Sequence, residues 1–186
     1  MDLYTFLRKN RDSIVARWQQ DTFASYADDA SRFFAREKNK FANPVGTALR
    51  DGTFAIFDSL AAGMDEDLVC RNLNEIIKIR AIQDFSPSRA TSFVFLLKNA
   101  IRAELADVEM NEETRRDLAD IDATIDQIAL FAFDIYVKCR EQMYELRVNE
   151  VKRSVSLLMK RFNDDPADES VISLSDGSTK SQGGDR

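Results

Sequence analysis

Arg80, Asp84, Ser86, Ser88 and Arg89 crowd around the dipeptide Ser86-Pro87, with Lys98 and Arg102 one and two turns further along the chain. A helix that starts there offers unpaired N–H donors, and arginines beside it suit a carboxylate or a phosphate. Arg80, Ser86, Ser88, Arg89 and Arg102 are therefore a candidate ligand or anion site. The competing reading is structural, with capping and surface ion pairs such as Asp84 with Arg80 at helical spacing. Asp117, Asp120, Asp122 and Asp126 raise metal or acid–base chemistry, but neither an EF-hand glycine pattern nor a Glu-x-x-His helix accompanies them. They read as a solvated helix face. Asp134 falls on the polar sector one turn before Lys138 and is expected to pair with it.

The chain has no histidine. That removes histidine-ligated haem, most catalytic zinc sites, Ser-His-Asp triads and Cys-His dyads. Cys70 and Cys139 lie far apart without a CxxC and read as buried free thiols, so neither a metal nor a cofactor is expected. Glycine-rich nucleotide loops and a GxSxG elbow are also missing. The 13 phenylalanines could line a ligand pocket, but read more simply as core. No catalytic residue is assigned, and the chain is expected not to be an enzyme.

With a net charge of −6, the surface repels phosphate backbones, and nucleic acid is not an expected partner. The N-terminus carries charges where a signal peptide needs an apolar core, and no apolar stretch is long enough to span a membrane. A cytoplasmic protein without membrane contact is expected.

The elements that must position these residues are helices. Of 186 residues 44% are hydrophobic, yet only 6 are Gly and 3 Pro, too few turn formers for a strand-rich fold. Asp2 caps a first helix carrying Leu3, Phe6, Leu7, Ile14 and Trp18 and continuing toward Phe34. Asn43-Pro44 restarts the chain into a second helix through Leu49, Ile56, Phe57 and Leu60. Gly63 ends it, and Asp65 caps a third with Leu68, Val69, Leu73, Ile76 and Ile77, toward Ile82 and Phe85. Ser86-Pro87 opens a fourth that buries Ala90, Phe93, Val94, Leu97 and Ile101, and Asn111 opens the last. The expectation is an all-α bundle of about five or six helices over residues 1–163. Residues 164–186 read as a disordered acidic tail, or as one carrying a short linear motif at Val171 to Leu174.

No Pro or Gly interrupts 112–162, so one helix of roughly 75 Å is allowed. It carries two stripes. Ile121, Ile125, Ile128, Ala132, Ile135, Cys139, Met143 and Leu146 face the body. Roughly opposite lie Leu130 and Phe133, then Val137, Glu141, Tyr144, Val148, Val151, Val155, Leu158 and Phe162 in alternating steps of four and three. The seam's apolar side chains are worth about 10 to 20 kcal/mol per chain as an upper bound. Such a seam needs a cover. A second copy is the least demanding one, which makes a homodimer the expected state. The alternative is a monomer whose helices fold back over both stripes.

Three stretches, FANPVG at 41–46, IRAIQDFSPSRATSFVFLLKNAIR at 79–102 and FDIYVKCREQMYELRVNEVKRSVSLLMK at 133–160, resemble the N-terminal domain of RsbRD-type RsbT co-antagonist proteins. The resemblance covers residues 3 to 162. It implies a helical, dimeric input domain related to the non-haem, globin-like input domains of bacterial stressosome proteins, whose last helix passes a signal to an output domain. In members with the full architecture that output is a STAS domain with phosphorylated hydroxyl residues that engages the RsbT kinase. About 24 residues follow Phe162 here, so the expectation is a stand-alone sensory or regulatory domain. It would signal through helix-pair packing and contacts with a regulatory protein. Rival expectations are an adaptor that binds a different protein through the last helix and a small-ligand or redox cofactor carrier.

Overall fold

The computed structural model describes residues 2–26, 32–34, 36–37, 39 and 41–164, with side chains to 161. The tail and the Phe162 side chain lie outside the described residues. Among those described, all regular structure is helical and no strand occurs. The chain forms two compact units, Met1–Met143 and Tyr144–Arg186.

In the first unit α1 (Leu3–Lys9) starts where the Asp2 carboxylate accepts from the N–H groups of Tyr4 and Thr5. The expected single first helix is broken at Asn10 (φ −100°, ψ 18°), whose backbone N–H and side-chain amide both donate to the Phe6 carbonyl, at 3.0 and 2.9 Å. The chain restarts as α2 (Arg11–Ala24). Asn43 caps α3 (Pro44–Ala62), its side-chain oxygen accepting from Gly46 N–H at 2.8 Å while its amide donates to the carbonyls of Phe34 and Glu37. Arg50 donates to the same two carbonyls, which ties the preceding segment down. Gly63 ends α3 at φ 106°, the left-handed stop read from the sequence.

Helix α4 (Glu66–Ile82), capped by Asp65, packs on α3. Gly52 permits the close approach, since a Cβ there would stand 2.8 Å from Ile76 Cδ1. The expected fourth helix is two: α5 (Pro87–Thr91) and α6 (Phe93–Glu104), parted at Ser92. Thr91 and Ser92 bond back to the carbonyls of Pro87 and Arg89, an alternative to the regular ladder. Asn111 opens α7 (Glu112–Asp164) by accepting from Thr114 N–H at 2.8 Å.

The core fills the first unit. Trp18, Phe57, Leu73, Ile76, Ile77 and Phe93 are fully buried, and each such side chain stabilises by about 1.5 to 3 kcal/mol. Trp18 stacks on Phe93 at 6.2 Å and donates its indole N–H to the Phe93 carbonyl at 2.6 Å, so α2 packs against α6 with both polar groups satisfied. From α7, Ile121, Ile125, Ile128 and Ala132 are buried as expected, joined by Tyr136. The stripe fades at Ile135, Cys139 and Met143, which are half-buried. Leu146, placed on it from the sequence, is 70% exposed; Ile82 is 60% exposed, although Arg80, Ala81 and Phe85 around it in the sequence are buried.

In the second unit the described chain is the continuation of α7 from Tyr144. Its described side chains are all exposed.

Candidate functional site

Two features of the molecule bear on function: the junction between α4 and α5, and the outer strip of α7. The junction begins where α4 ends at Ile82. The backbone N–H of Phe85 reaches back to the Arg80 carbonyl at 3.2 Å and that of Asp84 to Ala81 at 3.3 Å. Asp84 takes φ 57°, a left-handed conformation that few residue types besides glycine, asparagine and aspartate tolerate. Its carboxylate meets Arg140 of α7 at 3.0 Å, and the same guanidinium donates to the Ala81 carbonyl at 3.3 Å. The pairing of Asp84 with Arg80 expected from helical spacing is therefore replaced by one with Arg140, because the left-handed turn carries Asp84 off the α4 face.

Arg80 turns inward and is fully buried. It donates to the carbonyls of Arg89 at 3.1 Å and Ala90 at 3.5 Å and to the Ser25 hydroxyl at 3.3 Å. The rings of Tyr26, Phe85 and Phe93 surround its guanidinium, with centroids at 5.1, 5.3 and 4.8 Å. Among the described residues it has no carboxylate partner. Burial pulls its pKa below the ordinary arginine value, with the Tyr26 phenol opposing and the Arg89 charge adding to the fall. Burial likewise pushes the Tyr26 phenol up, and the Arg80 charge offsets part of the rise. Tyr26 Oη and Arg80 Nε are both buried, and neither meets hydrogen-bond geometry with any partner.

The candidate anion site read from the sequence thus separates into parts. Arg80 is spent on the interior, a correction that follows from its place on the buried face of α4. Ser86 caps α5 through Arg89 N–H and lies 3.3 Å from the Ser88 hydroxyl. Arg89 donates to the Ser25 carbonyl at 3.2 Å and lies over the Phe85 ring. Helix α5 has five residues, too few peptide units for a strong positive end. Arg102 is paired with Asp122, and Lys98 meets Asp126 at 2.6 Å, so these two carboxylates join α6 to α7. Asp134 and Lys138 are exposed. Cys70 and Cys139 are half-buried free thiols, both held above the ordinary thiol pKa by burial. Among the described residues no three metal-ligating side chains gather, and no helix is long and apolar enough to cross a membrane.

Sequence reasoning missed Tyr136, which lies between the two stripes. It is buried, and its hydroxyl donates to the Phe85 carbonyl at 2.7 Å. Together with Arg140 it fastens α7 to the junction. An aromatic residue one turn before an arginine was the available signal.

The outer strip is exposed throughout its described length. In the first unit it consists of Leu130, Phe133 and Val137, with Leu130 66% exposed. In the second unit it consists of Tyr144, Val148, Val151, Val155 and Leu158, with Val148 at 50% and Val155 at 51%. Tyr144, Glu145, Val148, Asn149 and Lys152 line one shallow depression there. Leu146, Leu157 and Met159 are exposed off the strip.

The family model of the RsbT co-antagonist protein rsbRD N-terminal domain matches residues 12–151. No curated protein and no solved structure matches the chain.

Proposed function

The chain belongs to the RsbT co-antagonist protein rsbRD N-terminal domain family, and from that premise we propose that it is a stressosome-type sensory or regulatory input domain without catalysis of its own. Two cytoplasmic copies pack through the strip on α7, and a signal received by the helical body biases that packing. One observation carries the reading. From Tyr144 to Leu158 the helix keeps apolar side chains at steps of four and three, and every one of them is about half exposed or more. Burial against an identical strip removes that area from water and satisfies the symmetry of a dimer.

Sedimentation equilibrium of the full chain tests it. A dimer is expected, and Val148→Lys with Val155→Lys should give a monomer with unchanged helical circular dichroism. A wild-type monomer, or a double variant of undiminished mass, would overturn the reading.

A second reading rests on Leu146 and Leu157, which lie on the side of α7 that a two-helix pair leaves wet. They favour an adaptor role in which a different protein covers α7. Under that reading the isolated chain is monomeric and a partner of fixed stoichiometry co-purifies.

A further inference from the structure

We infer that the turn between α4 and α5 couples the buried Arg80 cluster to the far end of the covered stretch of α7. This rests on the input-domain reading above and names the contact through which the body acts on the strip. Phe85 carries the argument, because its ring and its backbone serve different partners. The ring lies against the guanidinium groups of Arg80 and Arg89, at 5.3 and 4.7 Å from its centroid, and the Phe85 N–H donates to the Arg80 carbonyl at 3.2 Å. The Phe85 carbonyl accepts from the Tyr136 hydroxyl of α7 at 2.7 Å. Beside it the Asp84 carboxylate holds Arg140, one turn further along α7, at 3.0 Å.

Arg80 gathers three more elements. It donates to the Ser25 hydroxyl at the end of α2 and to the Arg89 carbonyl of α5, and the Phe93 ring of α6 lies 4.8 Å from its guanidinium. Arg80, Phe85 and Phe93 are all buried, so a shift of the Arg80 side chain displaces the Phe85 ring rather than being absorbed by free space.

The place where the turn meets α7 gives this coupling its consequence. Ile121, Ile125, Ile128 and Ala132 hold the helix by packing, and Asp122 and Asp126 tie it to α6. Past Ala132, Tyr136 is the one buried residue of α7 among those described. The turn therefore fixes the helix where packing fades, between Phe133 and Val137 of the exposed strip. Once the turn is loosened, pairing must itself order that part of the strip, and the pairing weakens.

The test is a double-mutant cycle read as the dimer dissociation constant of the full chain, with helical circular dichroism checked for each variant. Arg80→Met should weaken the dimer about fivefold in the wild-type background. Tyr136→Phe with Asp84→Asn releases the turn while keeping the ring and a residue that tolerates the left-handed conformation. In that background Arg80→Met should change the affinity by less than about twofold. With Asp126→Asn, which cuts a tie about 15 Å earlier along α7, the loss caused by Arg80→Met should persist. Should Arg80→Met lose its helicity, Arg80→Lys, which keeps the charge without the planar fork, takes its place with the same expectations. Equal fold-changes in the wild-type and released backgrounds overturn the coupling and leave the dimer standing. So does an Arg80 variant of wild-type affinity, or an effect that vanishes equally with Asp126→Asn. A wild type that stays monomeric overturns the dimer reading, and the coupling with it.

Discussion

The hydroxyl of Tyr136 donates to the backbone carbonyl of Phe85 at 2.7 Å, so the long helix is pinned to the turn that follows α4. Both residues are buried, and the carbonyl would otherwise have been taken out of water at a cost. Tyr136→Phe keeps the ring and removes only the donor. Unfolding by urea should show a loss of about 1 to 2 kcal/mol. A change within about 0.3 kcal/mol would show that the bond contributes nothing.

Arg80 combines volume with an unpaired buried charge. Arg80→Ala leaves a cavity and strips the carbonyls of Arg89 and Ala90 of a donor, so a loss of about 3 kcal/mol or more is expected. Arg80→Met fills much of the space without the charge and should cost clearly less, because burying an unpaired cation is itself unfavourable. Equal losses in the two variants would show that the hydrogen bonds, not the volume, set the cost.

Tyr26 should make stability fall at alkaline pH. Burial raises its phenol above the unfolded value of about 10. Its contribution is therefore fully present below that pH and is lost as pH rises through the higher folded value, because the unfolded chain gives up the proton first. Thermal midpoints measured from pH 8 to about 11 should fall more steeply for the wild type than for Tyr26→Phe. Parallel curves would assign the alkaline loss to other groups.

Gly46 is required by its neighbour's side chain rather than by its own backbone angles. A Cβ would sit 2.3 Å from Asn43 Nδ2, and Asn43 cannot retreat without releasing the Phe34 and Glu37 carbonyls and the Gly46 N–H. Gly46→Ala should cost about 2 kcal/mol despite the better helix propensity of alanine. At Gly63 there is open space but φ is 106°, so Gly63→Ala should cost only about 1 kcal/mol. Chemical denaturation of the two variants side by side checks the order.

Much of the local structure was legible because it depends on short-range chemistry. Asp2, Asp65, Ser86 and Asn111 each cap the helix they were expected to open, and Asn43, expected only as the break before Pro44, caps another, since a side-chain oxygen within reach of a free N–H needs no distant partner. The breaks at Asn10 and Ser92 were not legible. There the backbone N–H groups keep their bonds to the preceding turn while the side chains add bonds to nearby carbonyls, and neither signals a break along the sequence.

The sequence by itself determined that the chain is helical, that Gly63 stops one helix, and that α7 carries a second apolar strip, because periodicity and turn chemistry act within a few residues. It also carried the family membership in its motifs. Only the tertiary structure decided which polar residues are spent inside. Arg80 was grouped with Ser86 and Arg89 by proximity along the chain, yet it belongs to the interior, while Arg140, some fifty residues after Asp84, completes the junction. Charged side chains reach far and choose partners by position in space, and that choice is made only when helices distant in sequence are packed together.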